Sequence, residues 1–131
     1  MKRLILLSFV LLFVGVCYAE KKAEIKFDKE VHNFGSFPEE NPEVTCVFTF
    51  TNIGNAPLII NRAMATCGCT VPVFTEEPVM PGKTGTVKVT YNGKGKFPGH
   101  FKKTITILSN ANTNMYRLYI EGDMVAAKKK K

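Results

Sequence analysis

One constellation in this 131-residue sequence has a spacing that could carry chemistry, Cys67-Gly68-Cys69. Two thiols so close can form a reversible disulfide, hold a soft metal ion, or serve as structure. A disulfide wants Cα atoms roughly 5.5–6 Å apart. Residues two apart reach that separation only in a bent loop, so the bond is expected to be strained, labile and open to redox exchange. Gly68 is expected to let the loop take a positive φ. A third thiol, Cys46, offers a structural rival: a bridge to Cys67 or Cys69 worth roughly 2–4 kcal/mol. Cys46 shares the alternation of Val44, Phe48 and Phe50 and is therefore expected to face the core, where a free thiol behaves as a small hydrophobe.

The metal reading pairs Cys67 and Cys69 with Met64, Met80, His32 or His100 around a soft ion such as Cu(I). Two thiols fall short of the four ligands a structural zinc site needs, and nothing in the order of residues places either histidine at the loop. His100, beside Pro98-Gly99, reads as a loop residue. No metal and no cofactor is assigned. Other candidates fail on their spacing. Pro81-Gly82-Lys83-Thr84 has Glu77 where a phosphate loop needs its first glycine. Gly93-Lys94-Gly95 precedes no helical pattern. Glu39-Glu40 and Glu76-Glu77 read as solvated loop pairs, and Ser36 and Ser109 lack acid–base partners. The expectation is a protein that is not an enzyme.

The elements that must position the thiols are strands. Glu24 to Phe27 alternates polar and apolar residues, and Val31 to Phe37 follows, broken by Gly35 and ended by Pro38. Val44, Cys46, Phe48 and Phe50 recur at period two with threonines opposite, the clearest strand of the chain. Asn52 to Pro57 is a turn by composition, and Leu58-Ile59-Ile60 begins another strand. Val71 to Phe74, Thr84 to Tyr91, Phe101 to Leu108 and Met115 to Ile120 continue the series, separated by Pro81-Gly82, Asn92-Gly93-Lys94-Gly95 and Asn110 to Asn114. No long segment has helical periodicity. Such spacing predicts an all-β, immunoglobulin-like antiparallel β-sandwich of about seven strands.

The ends of the chain set the expected compartment. Met1-Lys2-Arg3, an apolar run from Leu4 and the Cys17-Tyr18-Ala19 step have the form of a cleaved signal peptide over 1–19. The sixteen uncharged positions from Leu4 to Ala19 are fewer than the roughly 20 that span a bilayer. The domain is placed at 20–127, with no transmembrane span after cleavage, and a lysine tail at 128–131. The product is expected to be periplasmic or secreted; the alternative is lipid anchoring through Cys17, for which Val16 is a poor preceding residue. An oxidising compartment favours pairing among the three remaining thiols. The formal charge of +7 sits at the ends. Without the leader, Glu20-Lys21-Lys22 and the tail, ten basic and ten acidic side chains remain. Nucleic-acid binding, which needs a basic face, is therefore not expected. The four terminal lysines read as a solvated end, with weak, salt-screened attraction to anionic envelope surfaces as the alternative.

Phe48 to Ile60 reads F-x-F-x-N-x-G-x-x-P-L-x-I. It is followed by Cys67-Gly68-Cys69-Thr70, by Pro81-Gly82, and by Gly99 to Asn110 as G-x-F-x-K-x-I-x-I-x-S-N. In this order the residues resemble bacterial domain-of-unknown-function family 1573, common in exported proteins, and the resemblance covers nearly the whole chain after the leader. It implies an immunoglobulin-like sandwich related to Hydin and sperm-protein-type domains, and it implies no reaction. Cys46 is not part of that pattern. The functional expectation is an exported, non-enzymatic module of the cell envelope that binds another envelope protein or a glycan. Thiol redox or copper binding at the Cys67-Gly68-Cys69 loop is the alternative.

Overall fold

Period-two alternation becomes eight strands in the computed structural model, which describes residues 20–127. The expected leader (1–19) and lysine tail (128–131) lie outside the described residues. The strands are β1 (Ile25–Phe27), β2 (Val31–Pro38), β3 (Glu43–Asn52), β4 (Ile60–Ala65), β5 (Thr70–Phe74), β6 (Thr84–Asn92), β7 (Gly99–Ser109) and β8 (Met115–Val125). They form two four-stranded sheets, ordered β1-β3-β6-β5 and β2-β8-β7-β4. No helix among the described residues is long and apolar enough to cross a membrane.

Against about seven strands expected, eight form at the eight alternating segments, and the first two, β1 and β2, belong to different sheets. After Phe27 the chain leaves β3, crosses through Asp28–Glu30 and enters the other sheet beside β8. Asp28 N–H donates to Thr49 O on one side (2.9 Å), and Glu30 O accepts Tyr119 N–H on the other (2.8 Å). The crossing leaves β2 parallel to β8, the one parallel pair among the described residues of an otherwise antiparallel sandwich.

The core lies between the sheets. Cys46, Phe48 and Phe50 of β3 and Val87, Val89 and Tyr91 of β6 point inward from one side. Phe101, Ile105 and Ile107 of β7 and Leu118, Ile120 and Met124 of β8 meet them from the other. Each fully buried phenylalanine stabilises by about 2–3 kcal/mol. Gly85 lies directly beneath the Phe50 ring, leaving no room for a Cβ. At one end of the core Tyr91 stacks on Phe101, 3.9 Å between centroids, with Phe37 edge-on to Phe101 at 5.9 Å.

The fold places the thiol pair at a change of sheet. β4 follows β7 from Ile60 opposite Ser109 to Ala65 opposite Ile105 and stops. The chain then crosses through Thr66–Cys69 to the other sheet, where β5 begins with Thr70 opposite Tyr91. The Leu58 segment expected as the start of β4 forms instead a lone bridge to Val79.

Candidate functional site

The crossover closes as a four-residue turn. Thr70 N–H donates to Cys67 O at 3.1 Å, which puts Gly68 and Cys69 at its two central positions. The Cα atoms of Cys67 and Cys69 stand 5.2 Å apart, inside the range a disulfide allows, and the two sulfurs are bonded. Cys69 N–H donates to Cys67 Sγ at 3.1 Å. Cys69 O accepts Asn92 N–H at 2.8 Å, tying the loop to the end of β6. Both cysteines are half-buried, while Thr66 and Gly68 on either side of Cys67 are exposed. Cys69 packs against the core and Thr70 is buried behind it.

Gly68 corrects an expectation. Its φ is not positive, unlike those of Gly35, Gly82, Gly95 and Gly99, and a Cβ there would meet nothing within 4 Å. The central positions of this turn use backbone angles open to any residue, so the loop does not require glycine for its shape.

Cys46 is a buried free thiol, as its alternation on β3 implies, and it is bonded to neither loop cysteine. The expected rival bridge fails for a topological reason. β6 lies between β3 and β5, so Cys46 stands two inter-strand spacings from the loop strand, roughly 9.5 Å. A disulfide reaches about 7 Å between Cα atoms. Burial pushes the Cys46 thiol up to about 11, with nearby Lys29 opposing, so this sulfur stays protonated and unreactive at neutral pH.

The residues weighed as metal ligands are scattered. His32 is on β2, its Nδ1 2.8 Å from Lys29 Nζ and its ring against Phe34. Burial, and then Lys29, hold its pKa below the usual imidazole value. His100 lies within β7 rather than in a loop, with Nδ1 3.0 Å from Asp123 Oδ1 and Nε2 3.8 Å from Glu121. Met64 is on β4 opposite Thr106, and Met80 opens the Met80–Lys83 turn. Among the described residues, no group of three or more His, Cys, Asp and Glu is placed to hold a metal ion.

Three features escape a reading of the sequence. Asn52 is fully buried, and its side-chain amide donates to Ala56 O (2.7 Å) and Val79 O (2.9 Å) while its Oδ1 accepts Gly54 N–H (2.9 Å). Tyr116 O–H donates to Glu30 at 2.6 Å, which together with burial pushes the phenol up to about 12. Past Ala65, the stretch of β7 from Gly99 to Thr104 has β8 on one side and no strand among the described residues on the other. The N-x-G step of the Asn52 turn is visible in the sequence. Its burial is not, because only the return of the Lys22–Glu24 segment over it decides that.

A family model described as "Protein of unknown function (DUF1573)" matches residues 25–124, and the chain belongs to that family. No curated protein matches in sequence. The fold is shared with a protein of unknown function from Porphyromonas gingivalis W83 (TM-score 0.69, 12% identity), covering 85% of this chain and 51% of that one. The chain thus spans about half the length of that relative. It is also shared with PapD-like domain 7 of human CEP192 (TM-score 0.64, 9% identity, 82% and 89% covered). The periplasmic chaperone SfaE is similar at TM-score 0.56 and 10% identity, with 80% of this chain and 60% of that one covered. At these identities the likeness is one of fold: an immunoglobulin-like, PapD-like sandwich.

Proposed function

We propose that this member of the DUF1573 family is an exported, non-enzymatic module that binds an extended segment of another envelope protein along the open edge of β7. One observation carries the reading. β4 leaves β7 at Ala65, so Gly99 to Thr104 continues as strand without an outer neighbour among the described residues. Ser109 N–H donates to Asn114 O toward β8, so in the alternation of an antiparallel ladder His100, Lys102 and Thr104 turn their N–H and C=O groups to the open side. Unpaired strand groups accept an added strand.

Two of the other edges, β5 and β2, are blunted. Pro72 stands in the middle of β5. Thr75 N–H donates to Thr86 O across the β5–β6 ladder, so by alternation Pro72 falls at an outward position, where it has no N–H to offer. β2 is interrupted between Asn33 and Ser36 and ends at Pro38. A second bare stretch, Glu43 to Val47 of β3, lies beyond the short β1. The β7 stretch is distinguished by Lys102 and Lys103, whose charge deters pairing between copies and favours an acidic strand. Likeness in fold to periplasmic chaperones supports a protein-binding role and an exported location.

The test is capture of partners from cell-envelope extract with wild type and Lys102→Pro. Proline at this outward position spares the bonds to β8 and removes the central donor of the edge. Loss of the captured partner, with an unchanged melting temperature, is expected. A partner retained at full strength by Lys102→Pro would refute edge pairing. The half-exposed Cys67–Cys69 disulfide favours a second reading, thiol redox at the crossover. A Cys67→Ser/Cys69→Ser protein that retains its partner but loses thiol–disulfide exchange with glutathione would support that reading.

A further inference from the structure

Beside the crossover, the connection from β6 to β7 holds an apolar ring in water. Phe97 is 95% exposed, far more than any other large hydrophobic side chain among the described residues. Its loop is built rather than loose. Gly93 N–H donates to Pro42 O (3.0 Å), Lys94 N–H to Asn92 Oδ1 (3.0 Å) and Lys96 N–H to Gly93 O (2.9 Å). Gly95, at φ 78°, takes the left-handed angle that this turn requires. A Cβ on Gly93 would press on Met124 Sδ, so the base of the turn is seated against the core. A fold that fixes a phenylalanine outward, with no neighbour among the described residues to cover it, leaves that ring for something outside.

The flanking charges indicate what. Lys94 and Lys96 bracket the turn just before Phe97, and neither forms an ion pair among the described residues. Gly99 pairs with Met124, so β8 ends at the base of the same turn, and the chain runs on from Ala127 into Lys128 to Lys131. The carboxylates at this end are Glu39, Glu40, Glu43, Asp123 and Glu121, the last 3.8 Å from His100. Glu39 accepts Ala127 N–H (2.8 Å) and Asp123 holds His100. Lys94 and Lys96 share the Asn92–Pro98 turn with Phe97, and these carboxylates lie on the strands and on the neighbouring turn.

We propose that the Asn92–Pro98 turn is an anchor for an anionic lipid surface, with Phe97 entering the interfacial layer and Lys94 and Lys96 at the level of the phosphates. An apolar ring that can enter the interface, next to lysines that attract anionic headgroups, suits such a surface. The turn adjoins the β7 edge at Gly99 but would make its contact through side chains and not through the strand's backbone groups, so the proposal does not rest on a protein partner pairing there.

The experiment is sedimentation of the chain from Glu20 onward, which carries every described strand, with vesicles of equal phosphatidylglycerol and phosphatidylcholine or of phosphatidylcholine alone. Binding to the anionic vesicles only, released by raising the salt to about 0.5 M, is expected. Phe97→Ala should weaken partitioning about tenfold without changing the melting temperature. Lys94→Gln and Lys96→Gln should each weaken it about fivefold. Absence of vesicle binding overturns the proposal. So does binding that ignores Phe97→Ala but disappears when Lys128–Lys131 are deleted, which would assign the attraction to the tail alone. Capture of an envelope protein that depends on Phe97, without vesicle binding, would overturn it too and assign the ring to a protein pocket.

Discussion

The Asn52–Pro57 turn and the Cys67–Thr70 turn look alike as text, each a short polar stretch around a glycine, and they do opposite work at opposite ends of the sandwich. At the first, Asn52 is sealed from solvent and its amide joins four backbone positions, with Glu24 N–H a longer fourth contact at 3.4 Å. Gly54 lies so close against the backbone of Lys22–Glu24 that no Cβ fits. At the second, Gly68 faces open space, the cysteines are half-exposed, and the loop is held by a covalent bond with few backbone ties. A turn that fastens the N-terminal segment to the core has no freedom left for binding. A turn that only carries the chain between sheets leaves its groups available.

The contrast is tested most severely at the first turn. Gly54→Ala must displace the Lys22–Glu24 backbone, and Asn52→Ala strands buried polar groups. Each is expected to cost about 3 kcal/mol or more, read as a fall in the urea midpoint. A loss below about 1 kcal/mol in both would show that the buried turn is no anchor.

Cys46 is next. Cys46→Ser puts an unpartnered hydroxyl into the core and should cost about 2 kcal/mol. Because its folded pKa, about 11, lies above the ordinary 9.0, the folded state holds this proton more tightly than the unfolded chain. Its contribution to stability is therefore complete below pH 9 and lost as pH rises toward 11. Tyr116 adds a fall of the same sign between pH 10 and about 12, which Tyr116→Phe should remove. Denaturant midpoints from about pH 8 to about pH 12 would show both.

At the crossover the effects should be smaller. A ring of three residues constrains the unfolded chain little, so reducing the Cys67–Cys69 bond should lower stability by about 1.5 kcal/mol or less. Calorimetry with and without dithiothreitol measures this. The smallest effect is expected for Gly68→Ala, within about 0.5 kcal/mol of wild type. A loss comparable to that of Gly54→Ala would erase the distinction between the turns.

Much of the fold was legible because inward residues recur at period two. Val44, Cys46, Phe48 and Phe50 point where their alternation requires, and Pro81-Gly82 forms the Met80–Lys83 turn with Gly82 at φ 79°. The site was legible only as a pair of thiols. Which sulfurs pair depends on β6 standing between β3 and β5, and strand order cannot be read from periodicity. His100 shows the same limit in miniature. Its neighbours Pro98-Gly99 suggest a loop, yet pairing of Gly99 with Met124 draws it into β7.

Local composition was enough for the class of fold, the turns, the inward direction of Cys46 and the expectation of an exported chain, since these follow from neighbouring residues and from which of them prefer to leave water. Folding in three dimensions had to settle the rest: that Asn52 is buried, that Cys67 pairs with Cys69, that β7 beyond Ala65 has no outer strand among the described residues, and that Phe97 is exposed among them. Each of these depends on which distant segment lies alongside, and contacts between residues far apart in the chain leave no period in the sequence.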